Sequence, residues 1–398
     1  MLCNATTRRN LPLLVVLCAL FALAIPVRAI DTIDYPFQGV RHIHRAVTAP
    51  RLLNMDIVEI DLTTPGLSFQ TTESNKDMAG KMKLETTRAF VDRFHAQIGV
   101  NANFFDNSDK AQASGYTTLH GLAVSNGNQV SPWIVGNASS NCGVNISMTN
   151  QVTFIAPAPG DTTGYLGQSI TAPHETITSY NAIAGIVWLI RDGIILVKPD
   201  GTLHPRTALA KTADNKLLLF TVDGRQPDWS LGMDYAEMAV TLKEFGAVLA
   251  VNMDGGGSTT LIFSDTANGA GRLVNRPPYG LLERRVGNNL AVFARYFPPS
   301  IKGVMPENGA IGTSVTISGT HFQAITAISF NGTPATFTVD TAGQITASVP
   351  AGASTGPIRV TGAGGSATSP AYFRCLNPLL PPKPAETRLA RSAVRVGR

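Results

Sequence analysis

Short segments in the last third of the chain alternate apolar and polar residues. They are separated by Gly, Pro and Asn and lie at residues 315–317, 328–330, 337–339, 345–349 and 358–360. A period of two is typical of strands with one buried face, and close spacing of such strands predicts a small β-sandwich. We place a domain boundary at the Phe-Pro-Pro sequence of residues 297–299 and expect the sandwich over residues 298–375.

The clearest helix prediction covers residues 234–245. Asp234 has the position of an N-cap, Glu237 stands three residues later as in a capping box, and Gly246 follows as a stop signal. The nearly all-apolar residues 247–251 come directly afterwards. Such a run suits a central strand that is buried on both faces.

Helix and strand signals also alternate earlier in the chain. Residues 55–62 and 217–222 are predicted to be strands, and a helix capped by Thr87 precedes a further strand at residues 100–105. This mixture predicts an α/β (mixed α+β) domain over residues 30–297.

Residues 1–29 have the order of a secretory signal peptide. Arg8 and Arg9 precede an apolar run at residues 11–27, and a Val-Arg-Ala sequence ends at Ala29. We therefore expect a cleaved, exported chain, periplasmic or extracellular, with no stable membrane span. The alternative is a retained N-terminal anchor, for which a run of about 17 residues is short.

The net charge of +5 is distributed unevenly. The signal carries three arginines, and residues 380–398 hold five basic residues against one acidic residue. Acidic and basic residues nearly balance between these ends, so the sequence predicts no basic surface for a nucleic-acid partner. Residues 376–398 are expected to form a disordered basic tail.

Cysteines and histidines leave some alternatives open. Cys142 and Cys375 remain after signal removal, so one disulfide between them is an open alternative in an oxidising compartment. His42 and His44 have the spacing that puts both rings on one strand face, which leaves a metal hydrolase as the minor alternative. The further histidines near polar segments are His120 and His204. No zinc spacing is present, and we predict no cofactor, with calcium held by oxygen ligands as an open alternative.

Glycines and polar residues follow the apolar run at residues 247–251. Residues 252–260 read Asn-Met-Asp-Gly-Gly-Gly-Ser-Thr-Thr. Glycines allow a ligand to approach the backbone closely, and the strand end holds the Asp254 carboxylate in place. An ordinary glycine-rich turn is the alternative for this segment alone. A Walker phosphate loop is excluded, because its Gly-Lys-Ser/Thr sequence is absent.

Four other segments place polar residues beside strand or turn signals. They lie at residues 101–106, 204–208, 223–225 and 283–288. Arg206 and Arg225 have planar guanidinium groups that suit two-point contact with a phosphate. Singly, each arginine would more often be a surface ion-pair partner. The recurrence of carboxylates beside guanidinium groups favours a functional site over a plain spacer.

Taken in order, these segments resemble the phosphodiester glycosidase family, the family of N-acetylglucosamine-1-phosphodiester alpha-N-acetylglucosaminidase. The similarity covers residues 55–295 and is most specific over residues 232–260. Two positions depart mildly from the family pattern: Ala102 stands where glycine is common, and Met253 stands where leucine is usual.

The resemblance implies hydrolysis of a sugar-1-phosphodiester at the anomeric carbon of the sugar. Because a phosphodiester leaves readily, such an enzyme mainly binds negative charge and directs a water or nucleophile. We assign Asp254 as nucleophile or base, Glu283 as the second carboxylate, and Asp223 as a group that orients arginine or sugar hydroxyls. The predicted substrate- and phosphate-binding residues are Asn103, Arg206, Thr207, Arg225, Gly255, Gly256, Ser258, Thr259, Arg284 and Asn288.

The predicted β-sandwich resembles an IPT/TIG domain over residues 299–374. The matching residues are Ile301, Pro306, Gly309, residues 312–319, Phe322, residues 330–332, Val349, Pro350 and Gly356. Membership would imply an immunoglobulin-like fold that serves as a spacer or contacts a protein or glycan. The alternative to an enzyme is therefore a non-catalytic exported module that binds through this domain in exopolysaccharide handling.

Overall fold

The computed structural model of the 398-residue chain describes residues 29–75, 78, 80–133, 142–156, 179–265, 269–278 and 282–376. The predicted signal peptide and basic tail lie outside the described residues, except for their last and first residue respectively. Within the described ranges, no helix is both long enough and apolar enough to cross a membrane.

The described residues between 29 and 293 form mainly strands. The strands are β1 (Ala29–Phe37), β2 (Val40–Val47), β3 (Leu53–Asp61), β4 (Ser68–Thr71), β5 (Met82–Lys83), β6 (Ile98–Asn101), β7 (Tyr116–Thr117), β8 (Ala123–Ser125), β9 (Asn128–Ser131), β10 (Cys142–Ile146), β11 (Val152–Ile155), β12 (Asn181–Gly185), β13 (Val187–Arg191), β14 (Ile194–Ile195), β15 (Arg206–Thr212), β16 (Lys216–Val222), β17 (Ala247–Asn252), β18 (Leu261–Phe263), β19 (Arg272–Leu273) and β20 (Asn289–Phe293).

These strands form one large sheet and smaller ones. The eight-stranded sheet has the order β1-β2-β3-β16-β15-β17-β13-β14. Two five-stranded sheets have the orders β11-β10-β12-β8-β9 and β19-β18-β6-β20-β4, and β5 pairs with β7. The registered strand pairs of this part of the structure are antiparallel.

The helices in the described ranges are short: α1 (Thr87–Phe94), α2 (Asp109–Ser114) and α3 (Tyr235–Glu244). The predicted capping box of α3 is confirmed, because the Glu237 amide donates to Asp234 at 2.9 Å and the Asp234 amide donates to Glu237 at 3.1 Å. The predicted cap of α1 is wrong by one residue. Thr86 accepts from Ala89, whereas Thr87 is buried in the first turn.

Most of the strand predictions hold. The predicted strands at residues 55–62 and 217–222 correspond to β3 and β16, and the apolar run at residues 247–251 is β17, which lies between β15 and β13. The strand predicted at residues 100–105 is misplaced, since β6 ends at Asn101. The residues that follow β6 therefore form a loop beside other strand ends.

The central strands β3, β16, β15 and β17 of the eight-stranded sheet are largely buried on both faces. On one face Val58, Leu219 and Val251 pack with residues of the five-stranded sheets. On the other face Ile57 and Phe220 pack with α3. Successive side chains of a strand point to opposite faces, so each of these strands contributes to two separate cores.

The predicted mixed α+β class is only partly right for this domain. Short turns such as residues 213–215 connect neighbouring antiparallel strands directly, so few connections need a helix. The longest helix in the described ranges has ten residues. The domain is therefore predominantly β.

The C-terminal part is the predicted β-sandwich. Its strands are β21 (Ser300–Met305), β22 (Asn308–Gly309), β23 (Ser314–Thr320), β24 (Ile325–Phe330), β25 (Thr333–Ala335), β26 (Phe337–Thr341), β27 (Gln344–Ser348), β28 (Gly356–Gly362) and β29 (Gly365–Cys375). They form the sheets β21-β23-β27-β26 and β22-β29-β28-β24-β25, with Phe322, Phe330 and Ile345 buried in one core. Cys375 ends β29 and Cys142 is buried in the other domain; both are free thiols, so the disulfide alternative is excluded here.

Candidate active site

Backbone hydrogen bonds join four of the polar segments at one place. The amide of Asp254 donates to Ala102 at 3.0 Å, and the amide of Gly256 donates to Pro205 at 2.8 Å. The amide of Ala102 in turn donates to Asn288 at 3.0 Å. The structure thus brings together loops that are distant in sequence.

Strand register explains this meeting point. In the antiparallel pairs, Asn252 at the end of β17 lies opposite Ala208 near the start of β15, and Arg206 lies opposite Val222 at the end of β16. The loops that contain Asp254, Pro205 and Asp223 therefore leave the sheet at the same end of its strands. The end of β6 reaches this place from the adjacent sheet.

The glycines after Asp254 allow the loop to pack closely. A Cβ atom on Gly255 would lie 2.8 Å from the carbonyl oxygen of Pro205, and one on Gly257 would lie 2.5 Å from Nη2 of Arg284. Gly256 has a positive φ of 61°, which L side chains rarely adopt. The three glycines hence permit both the turn and close contact with arginine.

The carboxyl of Asp254 is shielded from water. The residue keeps a partly exposed surface, yet protein atoms surround its carboxyl. This burial raises the pKa of Asp254 to about 7, although a hydrogen bond with Ser258 and the charge of Arg284 act in the opposite direction. Near neutral pH the carboxyl exchanges a proton readily, which suits acid–base chemistry.

Two arginines flank the glycine loop. Arg284 Nη1 donates to Ser258 Oγ at 3.4 Å, so it reaches the hydroxyl that also contacts Asp254. Arg225 is exposed, has a left-handed φ of 59°, and holds its guanidinium 3.3 Å from the Cβ position of Gly256. Arg284 also lines an open cleft of about 410 Å³ next to the loop. These guanidinium groups therefore face space that a ligand can enter.

Arg206 is used differently from the sequence prediction. Its side chain is buried, with Nε donating to Met233 at 3.1 Å and Nη2 donating to Thr202 at 3.0 Å. The guanidinium also lies over the ring of Tyr235, with 4.0 Å from Cζ to the ring centroid. Arg206 therefore joins β15 to α3 rather than pointing at the glycine loop.

The predicted binding residue Asn103 is buried, and the protein itself fills its hydrogen-bonding capacity. Asn103 Nδ2 donates to Leu122 at 3.0 Å, while its oxygen accepts from Ala184 at 3.2 Å and from Asn288 at 2.9 Å. Thr207 donates to Asn101 at 2.9 Å and is also buried. These predicted ligands instead hold the strand ends together.

The two other predicted carboxylates are also engaged by the protein. Glu283 accepts from the side chain of Arg88 at 2.7 Å and from its amide at 3.1 Å, although the residue also lines the cleft beside Arg284. The catalytic role assigned to Glu283 stays a prediction, and the contacts with Arg88 limit how freely this side chain can move.

Asp223 is buried and has three donors. It accepts from Trp229 at 2.7 Å, from Asn275 at 3.0 Å and from the amide of Arg276 at 3.0 Å. Burial raises the pKa of Asp223 to about 6 against the effect of these hydrogen bonds. The Asp223 carboxyl therefore fixes the backbone at Asn275 and Arg276.

The sequence reasoning missed Asn101. Its Nδ2 donates to the carbonyl oxygen of Asp254 at 2.6 Å, and its oxygen accepts from the Thr260 amide at 3.1 Å. Asn101 therefore fixes both ends of the glycine loop. The signal was its place at the end of an apolar run, two residues before the Asn103 that we selected.

The histidine pair considered for metal binding contacts a carboxylate. His42 Nε2 and His44 Nδ1 each lie 2.9 Å from Oδ1 of the buried Asp56, and His42 Nδ1 lies 3.2 Å from Asp34. Among the described residues, no three His, Cys, Asp or Glu side chains are grouped so as to hold a metal ion. The pair is part of the β1–β2–β3 packing.

Comparison with known proteins relates both parts of the chain to families. Residues 94–293 match the model of the phosphodiester glycosidase family, and residues 299–374 match that of the IPT/TIG domain. N-acetylglucosamine-1-phosphodiester alpha-N-acetylglucosaminidase of Mus musculus is 29% identical over 126 residues, and that of Homo sapiens is 30% identical over 122 residues. Each alignment covers 26% of this chain, which spans only 23% of the relative's length.

Two solved structures resemble part of the chain. A Burkholderia pseudomallei protein is 13% identical with a TM-score of 0.50, over 68% of this chain and 97% of that one. The zebrafish N-acetylglucosamine-1-phosphodiester alpha-N-acetylglucosaminidase catalytic domain, auto-inhibited by its pro-peptide, is 21% identical with a TM-score of 0.45, over 68% and 83%. The first likeness shows a common fold.

Proposed function

Since this chain belongs to the phosphodiester glycosidase family and continues into an IPT/TIG domain, we propose that it hydrolyses a sugar-1-phosphodiester. Water adds to the anomeric carbon, the bond between that carbon and the phosphate oxygen breaks, and the products are a free sugar and a phosphomonoester. An N-acetylglucosamine-type sugar in a glycan or cell-envelope polysaccharide is the proposed substrate class.

The observation that carries this proposal is the pairing of Asp254 with flanking arginines. Arg225 and Arg284 lie against the glycine loop that begins at Asp254. Guanidinium groups suit the departing phosphate, whose negative charge grows as the bond breaks. With a pKa of about 7, part of the Asp254 population is ionised at neutral pH, and this carboxylate can act as nucleophile or take a proton from water.

The supporting residues act by fixing this arrangement. Asn101 holds the backbone on both sides of the glycine loop, and Ser258 lies between Asp254 and Arg284. A carboxylate and its arginine partners must be held within a fraction of an ångström for efficient catalysis. We propose that Glu283 positions Arg88 and the backbone of the neighbouring Arg284. This role is additional to its predicted role as the second carboxylate.

The proposed setting is outside the cytoplasm, on the basis of the signal-like residues 1–29. There the enzyme would meet polysaccharide, and the IPT/TIG domain would contact a protein or glycan near the substrate. The proposal includes no nucleic-acid partner and no required metal.

The test is incubation of the full chain with nitrophenyl-phosphate-linked N-acetylglucosamine and a panel of other sugar-1-phosphodiesters. We expect release of free sugar together with nitrophenyl phosphate, and loss of both products in an Asp254→Asn variant. Release of nitrophenol with a retained sugar phosphate would show cleavage at the wrong bond. Absence of turnover across the panel, with the chain folded, would favour the non-catalytic binding module.

A further inference from the structure

An open cleft of about 410 Å³ continues from the glycine loop towards α2. Gly257 and Arg284 line it on the side of the loop. Asn107, Asp109 and Gln112 line it from α2 and the residues just before that helix. A volume of this size accommodates a small organic group, and the mechanism proposed above assigns the cleft no occupant.

Two neighbouring arginines hold the sides of this cleft together. Arg284 Nη1 donates to Oγ of Ser258 in the glycine loop at 3.4 Å. Arg285 Nη2 donates to the carbonyl oxygen of Gln112 in α2. One short segment thus contacts both sides of the cleft, so the α2 side chains are held beside the arginine that we assign to the phosphate.

Asn107 and Gln112 share a hydrogen bond on the α2 side. Nε2 of Gln112 donates to Oδ1 of Asn107 at 2.9 Å and to the carbonyl oxygen of Arg285 at 3.4 Å. A backbone carbonyl only accepts, so this contact sets the amide orientation of Gln112 and, through it, that of Asn107. Nδ2 of Asn107 and Oε1 of Gln112 then have no hydrogen-bond partner among the described residues. A hydroxyl group both donates and accepts, so it matches such a pair.

The charges along the cleft balance. Arg284 and Arg285 carry positive charge, and Asp109 and Glu283 carry negative charge. With Arg284 assigned to the phosphate, a second anionic group would meet one arginine and two carboxylates. A hydrocarbon chain also fits poorly, since Leu282 is the one apolar side chain among the described lining residues. The cleft therefore suits an uncharged, hydrophilic group.

The position of the cleft indicates which part of the substrate it takes. In the proposed reaction Asp254 acts at the anomeric carbon and Arg284 meets the phosphate. Arg284 lines the cleft and Asp254 does not, so the cleft lies on the side of the phosphate that is remote from the sugar. We propose that it binds the alcohol joined to the phosphate, and that this alcohol is an uncharged polyhydroxylated group whose hydroxyls pair with Asn107 and Gln112. This inference rests on the proposed function.

Two phosphodiesters that share N-acetylglucosamine-1-phosphate and differ in the alcohol test this inference. In one the alcohol is methyl glucoside, joined through its primary hydroxyl, and in the other it is ethanol, which has no further hydroxyl. The bond that breaks is the same, so a difference in kcat/KM reports contacts with the alcohol. We expect the parent chain to prefer the glucoside diester about tenfold or more, as two added neutral hydrogen bonds contribute. Equal kcat/KM for the two substrates would overturn the proposal.

Two variants assign the preference to the α2 side chains. Asn107→Leu removes the free donor, and Gln112→Met removes the free acceptor. Each should lower kcat/KM for the glucoside diester about three- to tenfold and change that for the ethyl diester by less than about twofold. Gln129→Met, at an exposed glutamine of β9, is the matched control and should behave like the parent. Equal losses on both substrates by a folded variant, or no loss on either, would overturn the assignment.

The parent comparison needs no substitution, so it decides the matter even where a variant does not fold. Product binding separates this inference from the proposed function, since it needs no turnover. Calorimetry of the full chain compares methyl glucoside phosphate with ethyl phosphate. If the glucoside phosphate binds more tightly and Asn107→Leu removes the difference, but no phosphodiester is hydrolysed, the cleft stands as a binding site and the hydrolase assignment is wrong. If both diesters are hydrolysed alike and both phosphates bind alike, only the inference about the cleft is wrong.

Discussion

Replacement of Asp254 by Asn is expected to stabilise the protein while it lowers turnover by about a hundredfold or more. The carboxyl is surrounded by protein atoms, and its pKa is raised from 3.8 to about 7. Above that pKa the folded state must hold a charge that the unfolded chain holds more easily. Asn keeps the shape of the side chain and removes this charge.

The size of the effect follows from the pKa. Between pH 3.8 and about 7 the folded protein binds more protons at this site than the unfolded chain, so the free energy of unfolding falls as pH rises. A shift of about three units corresponds to roughly 4 kcal/mol at pH 8. Because the residue is partly exposed and water screens the charge, we expect about half of that, roughly 2 kcal/mol. For a domain of this size the Tm then rises by about 4–8 °C.

The assay is urea unfolding of the parent and Asp254→Asn proteins at several pH values. We expect nearly equal stability at pH 4, and a gap that grows up to about pH 7 and is constant above it. The kcat should fall at least about a hundredfold, as for other positioned acid–base groups. Asp228→Asn, at an exposed aspartate, is the matched control and should change neither quantity.

Two results would refute this reasoning. A stability gap that does not vary with pH would mean that the carboxyl is not deprived of water in the folded state. A folded Asp254→Asn protein with undiminished turnover would remove the residue from the mechanism and leave Glu283 and Asp223 as the next carboxylates to test.

Other predictions concern the neighbours of this carboxyl and the β2 histidine. Gly257→Ala should displace the Arg284 guanidinium, 2.5 Å from the new Cβ, and lower kcat/KM by roughly tenfold or more, whereas Gly343→Ala, with no such contact, should not. Arg225→Lys should raise KM for phosphodiester substrates about tenfold with a smaller change in kcat, because the ammonium lacks the planar fork; an unchanged KM would exclude this contact. Burial opposes the charge of His42, but its carboxylate partners Asp34 and Asp56 raise its pKa to about 9. The stabilisation by protonated His42 is complete below pH 6.5 and is lost as the pH rises towards 9. A His42→Asn variant should therefore lack the fall in unfolding free energy over that pH range.

The sequence singled out segments that the structure brings together, but the contacts of some of their residues differ from the predicted ones. The capping box of α3 and the apolar run of β17 follow from local rules, and together they position Asp254. The predicted mixed α+β class was only partly right, because a strand pattern in the sequence does not show that short turns connect many of the neighbouring strands. Long-range pairing, not local propensity, decided the sheet order.

The direction of the Arg206 side chain follows from the alternation of side chains along β15. Along β15, Leu209 packs with the five-stranded sheets and Ala208 packs on the side of α3. Alternation then puts Thr207 towards Asn101 and Arg206 towards Tyr235. The facing direction was therefore predictable once β15 was placed in the sheet. Arg284 had no such rule, because it lies in a segment without regular structure.

The division of work among these polar residues accounts for how the fold tolerates a poorly hydrated carboxyl. Asn101, Asn103 and Thr207 are buried and spend their hydrogen bonds on other parts of the protein, so the strand ends that surround the loop are fixed before any substrate arrives. Burial raises the pKa of the Asp254 carboxyl, and fixed strand ends leave the surrounding loop little freedom to admit water. The same rigidity holds Arg284 against Gly257, where it can meet negative charge without reorganisation. In the proposed reaction, the buried contacts that keep the surrounding strand ends fixed would also keep the Asp254 carboxyl in place.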